Sequence, residues 1–172
     1  MLGKQKKNLP LSLCDSSSSN KMVNFLKGMW KLRPRVMVVT EQESNVNGSS
    51  LAERVDKVLE FYGVLFKCLE RSVPEAVVER IMMERGVLGE EIKNIVGCEG
   101  VERKERHEKL ESWIPRLELA GFVRVPIGYE EMMLAGKELL AYGNEYMLHQ
   151  ENKCLFVKWN DKPLFSVSAW KV

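Results

Sequence analysis

His107 and Glu108 stand side by side, and an imidazole next to a carboxylate is the pairing in this chain best suited to moving a proton. Acid–base work also needs a reacting partner, and no serine or cysteine is joined to the pair by a nucleophile motif. The residue types therefore favour a charged, solvent-facing histidine. A second site-like position is Glu41-Gln42-Glu43, directly after an apolar run. In α/β folds ligands gather at the carboxyl ends of strands, although a capped loop is the simpler reading of such a tripeptide. Cys14, Cys68, Cys98 and Cys154 are far apart, form no Cys-x-x-Cys pair, and share no ligand spacing with either histidine. Neither zinc nor any other metal is expected from that layout, and no cofactor motif is present. The thiols are expected to be free, with Cys68 and Cys98 serving as small buried apolar residues.

Those residues need a scaffold, and 172 residues at 45% hydrophobic content suffice for one domain with a core. A net charge of +2 is too mild to imply nucleic acid, which calls for clustered cations. Lys4, Lys6 and Lys7 cluster, as do Arg103, Lys104 and Arg106, but the second group alternates with Glu102, Glu105 and Glu108. Its field largely cancels, and an ion-paired, solvated helix is expected there. No apolar run is long enough to cross a bilayer, so no membrane partner is expected.

Residues 1–21 are basic and then Ser-rich, and they read as a disordered lead-in to a folded part over 22–172. Val23, Phe25, Leu26, Met29 and Trp30 mark a short amphipathic helix. Val36-Met37-Val38-Val39, bounded by Pro34 and an Asn/Gly/Ser cluster, predicts a strand buried on both faces, hence a parallel sheet. Ser50 with Glu53 forms a capping box, and Leu51, Val55, Val58, Tyr62, Leu65 and Leu69 form one stripe behind it. Pro74 restarts the chain into a second helix, which Gly86 and Gly89 punctuate before a third apolar segment through Ile92 and Ile95. A charged helix from about Arg103 delivers Leu110, Trp113 and Leu117 to one face, and Gly121 ends it. A strand over Phe122–Val125 and a helix over Glu130–Tyr142 follow. From Tyr146 the period changes to two and predicts three antiparallel strands, joined by Glu151-Asn152-Lys153 and Asn160-Asp161-Lys162-Pro163.

The run from Gly97-Cys98-Glu99-Gly100 through Arg106-His107-Glu108 to Trp113 and Gly121, with the closing Ser168-Ala169-Trp170, has no metal, phosphate or nucleophile logic. It resembles the C-terminal part of the plant GRAS domain. The likeness to the PFYRE region lies in Pro34, in Phe61-Tyr62, and in Arg106 with Glu108. The likeness to the SAW region lies in Trp113 with Gly121, in Leu155 with Trp159, and in Ser168, Ala169 and Trp170. Residues Pro34 to Gln42 are most like the scarecrow-like branch. In physical terms these positions read as scaffold: Trp113, Trp159 and Trp170 are large apolar groups on elements expected to pack together. Arg106 and Glu108 are too close to face each other on a helix, so each calls for a partner elsewhere.

The resemblance implies an α/β fold: the C-terminal half of a Rossmann-like, methyltransferase-type sheet with flanking helices and a terminal antiparallel β-hairpin set. It implies a nuclear transcription regulator, not an enzyme, working through other regulators (zinc-finger or GRAS proteins), with DNA contacted indirectly and with roles in gibberellin signalling or developmental patterning. One alternative is an S-adenosylmethionine-dependent methyltransferase-like fragment. The glycine-rich loop and the acidic residue that would hold that cofactor are absent from the sequence. The other is a truncated, non-functional fragment, because the family's first half is missing and the Pro34 strand would leave a sheet edge bare.

Overall fold

The computed structural model describes residues 16–172, position 76 excepted. The first helix, α1, spans Ser16–Lys31, so residues 16–21 of the expected lead-in are helical, and the rest of that segment lies outside the described residues. Strand β1 (Met37–Gln42) is followed by the long helix α2 (Leu51–Ser72). The Ser50 hydroxyl accepts from the Glu53 amide, and the Glu53 carboxylate reaches back to the Ser50 amide, closing the capping box. Next come α3 (Val78–Ile81), a π-helical segment (Met82–Leu88) and α4 (Gly89–Gly97), which together form one continuous helical run. The glycines do not break it. Gly86 lies inside the wide turns, and the Gly89 amide donates to Glu84 O, the i→i+5 bond of a π-turn. After α5 (Leu110–Leu119) come β2 (Val123–Val125), α6 (Tyr129–Leu140), β3 (Tyr146–Glu151), β4 (Cys154–Trp159) and β5 (Lys162–Lys171).

The five strands among the described residues form one sheet, in the order β1-β5-β4-β3 with β2 also on β5. Every pairing is antiparallel, and this differs from the expected parallel burial of the Val36–Val39 run. β1 and β2 do run in the same direction, but β5 lies between them and opposes both. Nor is β1 buried on both faces: Met37 and Val39 are half-buried, whereas Val38 is 61% exposed. The β3–β4 and β4–β5 hairpins turn on Asn152-Lys153 and Asn160-Asp161, all four at positive φ. Two-residue turns of that hand match the twist of paired strands, and Asn and Asp tolerate it best among residues with a side chain.

Helices cover one face of this sheet. Two apolar clusters of the described residues lie beneath them. The first joins Val58, Phe61, Tyr62 and Cys68 of α2 to Leu88, Ile95, Val46 and Leu164. The second joins Leu26 of α1, Leu117 of α5, Phe122 and Trp170. The α2 stripe is rotated from the one expected. Leu51 is 51% exposed, while Arg54 is 1% exposed and occupies the place of an apolar residue.

The largest departure from the sequence reading is at 103–109. That segment is extended, not helical, and α5 begins only at Leu110. Helix propensity loses because the backbone finds better partners across the chain. Asn94 Oδ1 accepts from the amides of Lys104 and Glu105 (2.7 and 2.9 Å), and its Nδ2 donates to Glu102 O (3.0 Å). The Val46 amide donates to His107 O at 3.0 Å. These pairings tie the segment to α4 on one side and to the β1–α2 loop on the other.

Candidate functional site

On the helix-covered face, alternate residues of β5 point inward, and Leu164, Ser166, Ser168 and Trp170 are all buried. Trp170 is completely buried, and its indole donates to Ser168 Oγ at 2.9 Å, so the polar edge of the ring is satisfied from its own strand. The Arg124 guanidinium lies over the ring at 5.8 Å. Trp113 packs on the same cluster, beneath Arg116 at 5.2 Å. Trp159 does not join them: it packs on the cluster centred on Phe61 and Tyr62, near Phe165. Two tryptophans thus share a core and the third lies apart, because β4 carries Trp159 to the far end of the sheet.

Gly121 ends α5 at φ +101°, and its carbonyl accepts from the Trp30 indole at 3.1 Å. A Cβ there would lie 2.7 Å from Trp30 Nε1. Only glycine meets both demands, left-handed backbone and close approach. The partner of Gly121 is therefore Trp30 on α1.

Two arginines are buried, and two more bond within the chain. Arg54 donates to the carbonyls of Ile95, Gly48 and Ser49 at 3.0–3.4 Å and pairs with Glu99. Arg103 is buried and donates to Val46 O. Arg106 donates to Arg103 O, Gly100 O and Asn47 Oδ1 at 2.7–3.1 Å. Asn47 also donates to Glu108 at 2.7 Å, and Glu108 pairs with Arg116. A single asparagine therefore bridges Arg106 and Glu108. Glu43 accepts from the Leu110 amide at 3.1 Å and caps α5, whose own N-cap residue offers no side-chain bond. Glu41 is on this same face. Its carboxyl is pushed up to about 7, first by burial and then by the like charges of Glu43 and Glu108, with Arg116 opposing.

Phe61 and Tyr62 pack edge-to-face at 5.4 Å, and Phe61 meets Phe165 at 6.5 Å. The Tyr62 hydroxyl donates to Glu91 at 2.9 Å. Burial, then that bond, then the charge of Glu91 and Glu105 raise the phenol well above its ordinary range. Pro34 is half-buried in the turn that leads into β1. His107 is half-buried and close to Glu105 rather than solvent-facing, and Glu91 completes a cluster with them.

The opposite face of the sheet is different. Val36, Val38, Val125, Leu148, Leu155, Val157, Val167 and Ala169, with Ala135 and Leu139 of α6, line an apolar concavity of about 590 Å³. Ala169 thus floors this hollow while its neighbours Ser168 and Trp170 serve the other face. Glu131 and Glu138 are the charged side chains at its wall. β1 bonds β5 alone, so its outer edge carries no strand among the described residues. A concave apolar surface beside an unpaired strand edge is suited to receiving polypeptide, by strand addition with side chains set into the hollow. The sequence contained its signal, the exposed-edge argument at Pro34, but not its location, which depends on how β5 folds back between β1 and β2.

A family model described as the GRAS domain family matches residues 8–171. The chain is 56% identical over 154 residues to GRAS family protein TF80 of Medicago truncatula, covering 90% of this chain and 35% of that one. It is 48% identical over 170 residues to Scarecrow-like protein 3 of Arabidopsis thaliana, covering 98% and 34%. The crystal structure of SCL7 in Oryza sativa superposes with a TM-score of 0.80 at 29% identity, covering 87% of this chain and 42% of that chain. The chain thus spans about a third of the length of the curated relatives it matches.

Proposed function

This chain belongs to the GRAS domain family, and on that footing we propose that it acts in the nucleus as a transcription regulator, by binding other regulators rather than by reading DNA itself. Its relatives carry the names of regulators, scarecrow-like and DELLA among them, and not of enzymes. The partners are zinc-finger or GRAS proteins, and the process is gibberellin signalling or developmental patterning. No described helix is long and apolar enough to cross a membrane.

The observation that carries this reading is the contrast between arginines engaged within the chain and an open apolar face. Arg54, Arg103, Arg106 and Arg116 are engaged with carbonyls and carboxylates of the chain, which favours DNA contact through a partner. The concavity and the bare β1 edge favour protein association. The test is binding of the purified chain to a panel of zinc-finger and GRAS regulators, with Val38→Glu as the interface variant. Binding that Val38→Glu weakens at least about tenfold supports the reading, since a buried unpaired charge costs that much or more. Binding to none of the panel, or tight salt-dependent binding of the chain alone to DNA, contradicts it.

A further inference from the structure

We propose that Glu91, Glu105 and His107 form a site for one divalent cation of the zinc–manganese class, which fastens the extended 103–109 segment to the helical layer. Glu91 is in the first turn of α4, and Glu105 and His107 sit two residues apart on the extended segment, so both reach the same side. One ligand atom from each lies within 4.8 Å of the others, and all three residues are half-buried. His107 Nε2 and Glu105 Oε2 are 3.2 Å apart. Neighbouring ligands of an ion bound at about 2.0–2.2 Å are separated by roughly 3.0–3.4 Å, so this pair is already spaced as two ligands.

The imidazole supplies a second, independent indication. His107 Nε2 is shielded from solvent and has no hydrogen-bond partner among the described residues, although the Glu105 carboxylate is at contact distance. The pair is close but not aligned for a hydrogen bond. An ion shared by three ligands lies off the line between any two of them, and an imidazole nitrogen serving it would be placed in this way. Tyr62, 1% exposed, holds Glu91 from behind through its hydroxyl, the outer-shell contact that fixes a ligating carboxylate. Two carboxylates and one imidazole suit zinc, manganese or ferrous iron, and three protein ligands leave positions for water. The cysteine-based search for metal spacing misses this set because Glu91 is brought in by the fold, from the far side of the α4–α5 connection.

The test uses the full chain, stripped with chelator and kept reduced. Zn²⁺ is titrated by calorimetry, Co²⁺ serves as an optical probe, and melting is followed with and without ion. The proposal expects one ion per chain, a higher melting temperature with ion, and cobalt d–d bands without thiolate charge transfer. Glu91→Gln and His107→Gln should each weaken binding by more than about tenfold, and Tyr62→Phe by up to about tenfold, with circular dichroism unchanged. If His107→Gln fails to fold, Glu105→Gln, at a more exposed position, replaces it. No saturable binding below about millimolar ion, binding unaltered in both ligand variants, or strong cobalt–thiolate bands would each overturn the proposal.

Discussion

The two faces of the sheet are built from the same strands, yet one is sealed and the other open. On β5 the residues with even numbers, Leu164 to Trp170, are buried beneath helices, while Val167 and Ala169 line a hollow. Strand periodicity alone produces both surfaces, because side chains alternate. What separates them is the helical cover: α1, α2 and α5 close one face, and α6, with no buried residue of its own, only borders the other. The long-range hydrogen bonds of Trp30 and Arg54 tie the helices on the sealed side to distant parts of the chain. The lesson is that the two surfaces carry separate burdens, stability on one and, in the function proposed above, association on the other.

Substitutions can break or sharpen that division. The largest loss is expected for Trp170→Ala, about 3–5 kcal/mol by chemical denaturation, since the indole is fully buried and its site cannot collapse completely. Gly121→Ala should cost about 2–3 kcal/mol, because positive φ and the Trp30 indole both exclude a methyl group. A crystal structure of that variant should show Trp30 displaced. Arg54→Met is expected to cost about 2–3 kcal/mol, measured the same way, by leaving the Ile95 carbonyl and its neighbours without their donor.

Glu41→Gln sharpens the picture through pH. Glu41 holds its proton more tightly when folded, so its contribution is fully present below about 4.5 and is lost as pH rises through about 7. Above neutrality the wild-type chain should therefore be less stable than Glu41→Gln by about 1–2 kcal/mol, with the gap closing by pH 5. A pH-independent gap in paired denaturation curves would show that the carboxylate is not desolvated. The smallest stability effect belongs to the open face. Val38→Glu should change stability by less than about 0.5 kcal/mol while reducing partner binding. A large destabilisation there would erase the distinction between the faces.

Much of this was readable in residue order. The Ser50–Glu53 box, the period-two tail with its Asn-containing turns, and the glycine stop at Gly121 each rest on local chemistry, and local chemistry survives folding. The family resemblance supplied the remainder of the fold class. The sequence reading failed where side chains act over long distances. The 103–109 segment has the composition of a good helix, but Asn94 and the Val46 amide pair with its backbone from outside. Arg54 looks like a surface residue of α2 until Ile95, 41 residues later in the chain, presents its carbonyl. The Trp30–Gly121 contact and the meeting of Glu91 with His107 are of the same kind. No spacing rule connects positions that only the fold brings together.

Residue-resolved hydrogen exchange on the isolated chain tests the central claim most directly. The Glu43 amide donates to Leu164 O, so in β1 the amides of Met37, Val39 and Glu41 face β5, while those of Val38, Thr40 and Gln42 face outward. The account predicts slow exchange throughout the paired part of β5 and an alternating pattern in β1, slow for the inward set and fast for the outward one. Uniform protection along β1 would mean that the edge is already covered, and rapid exchange in β5 would mean that the sealed face does not hold the fold. Either result contradicts the account.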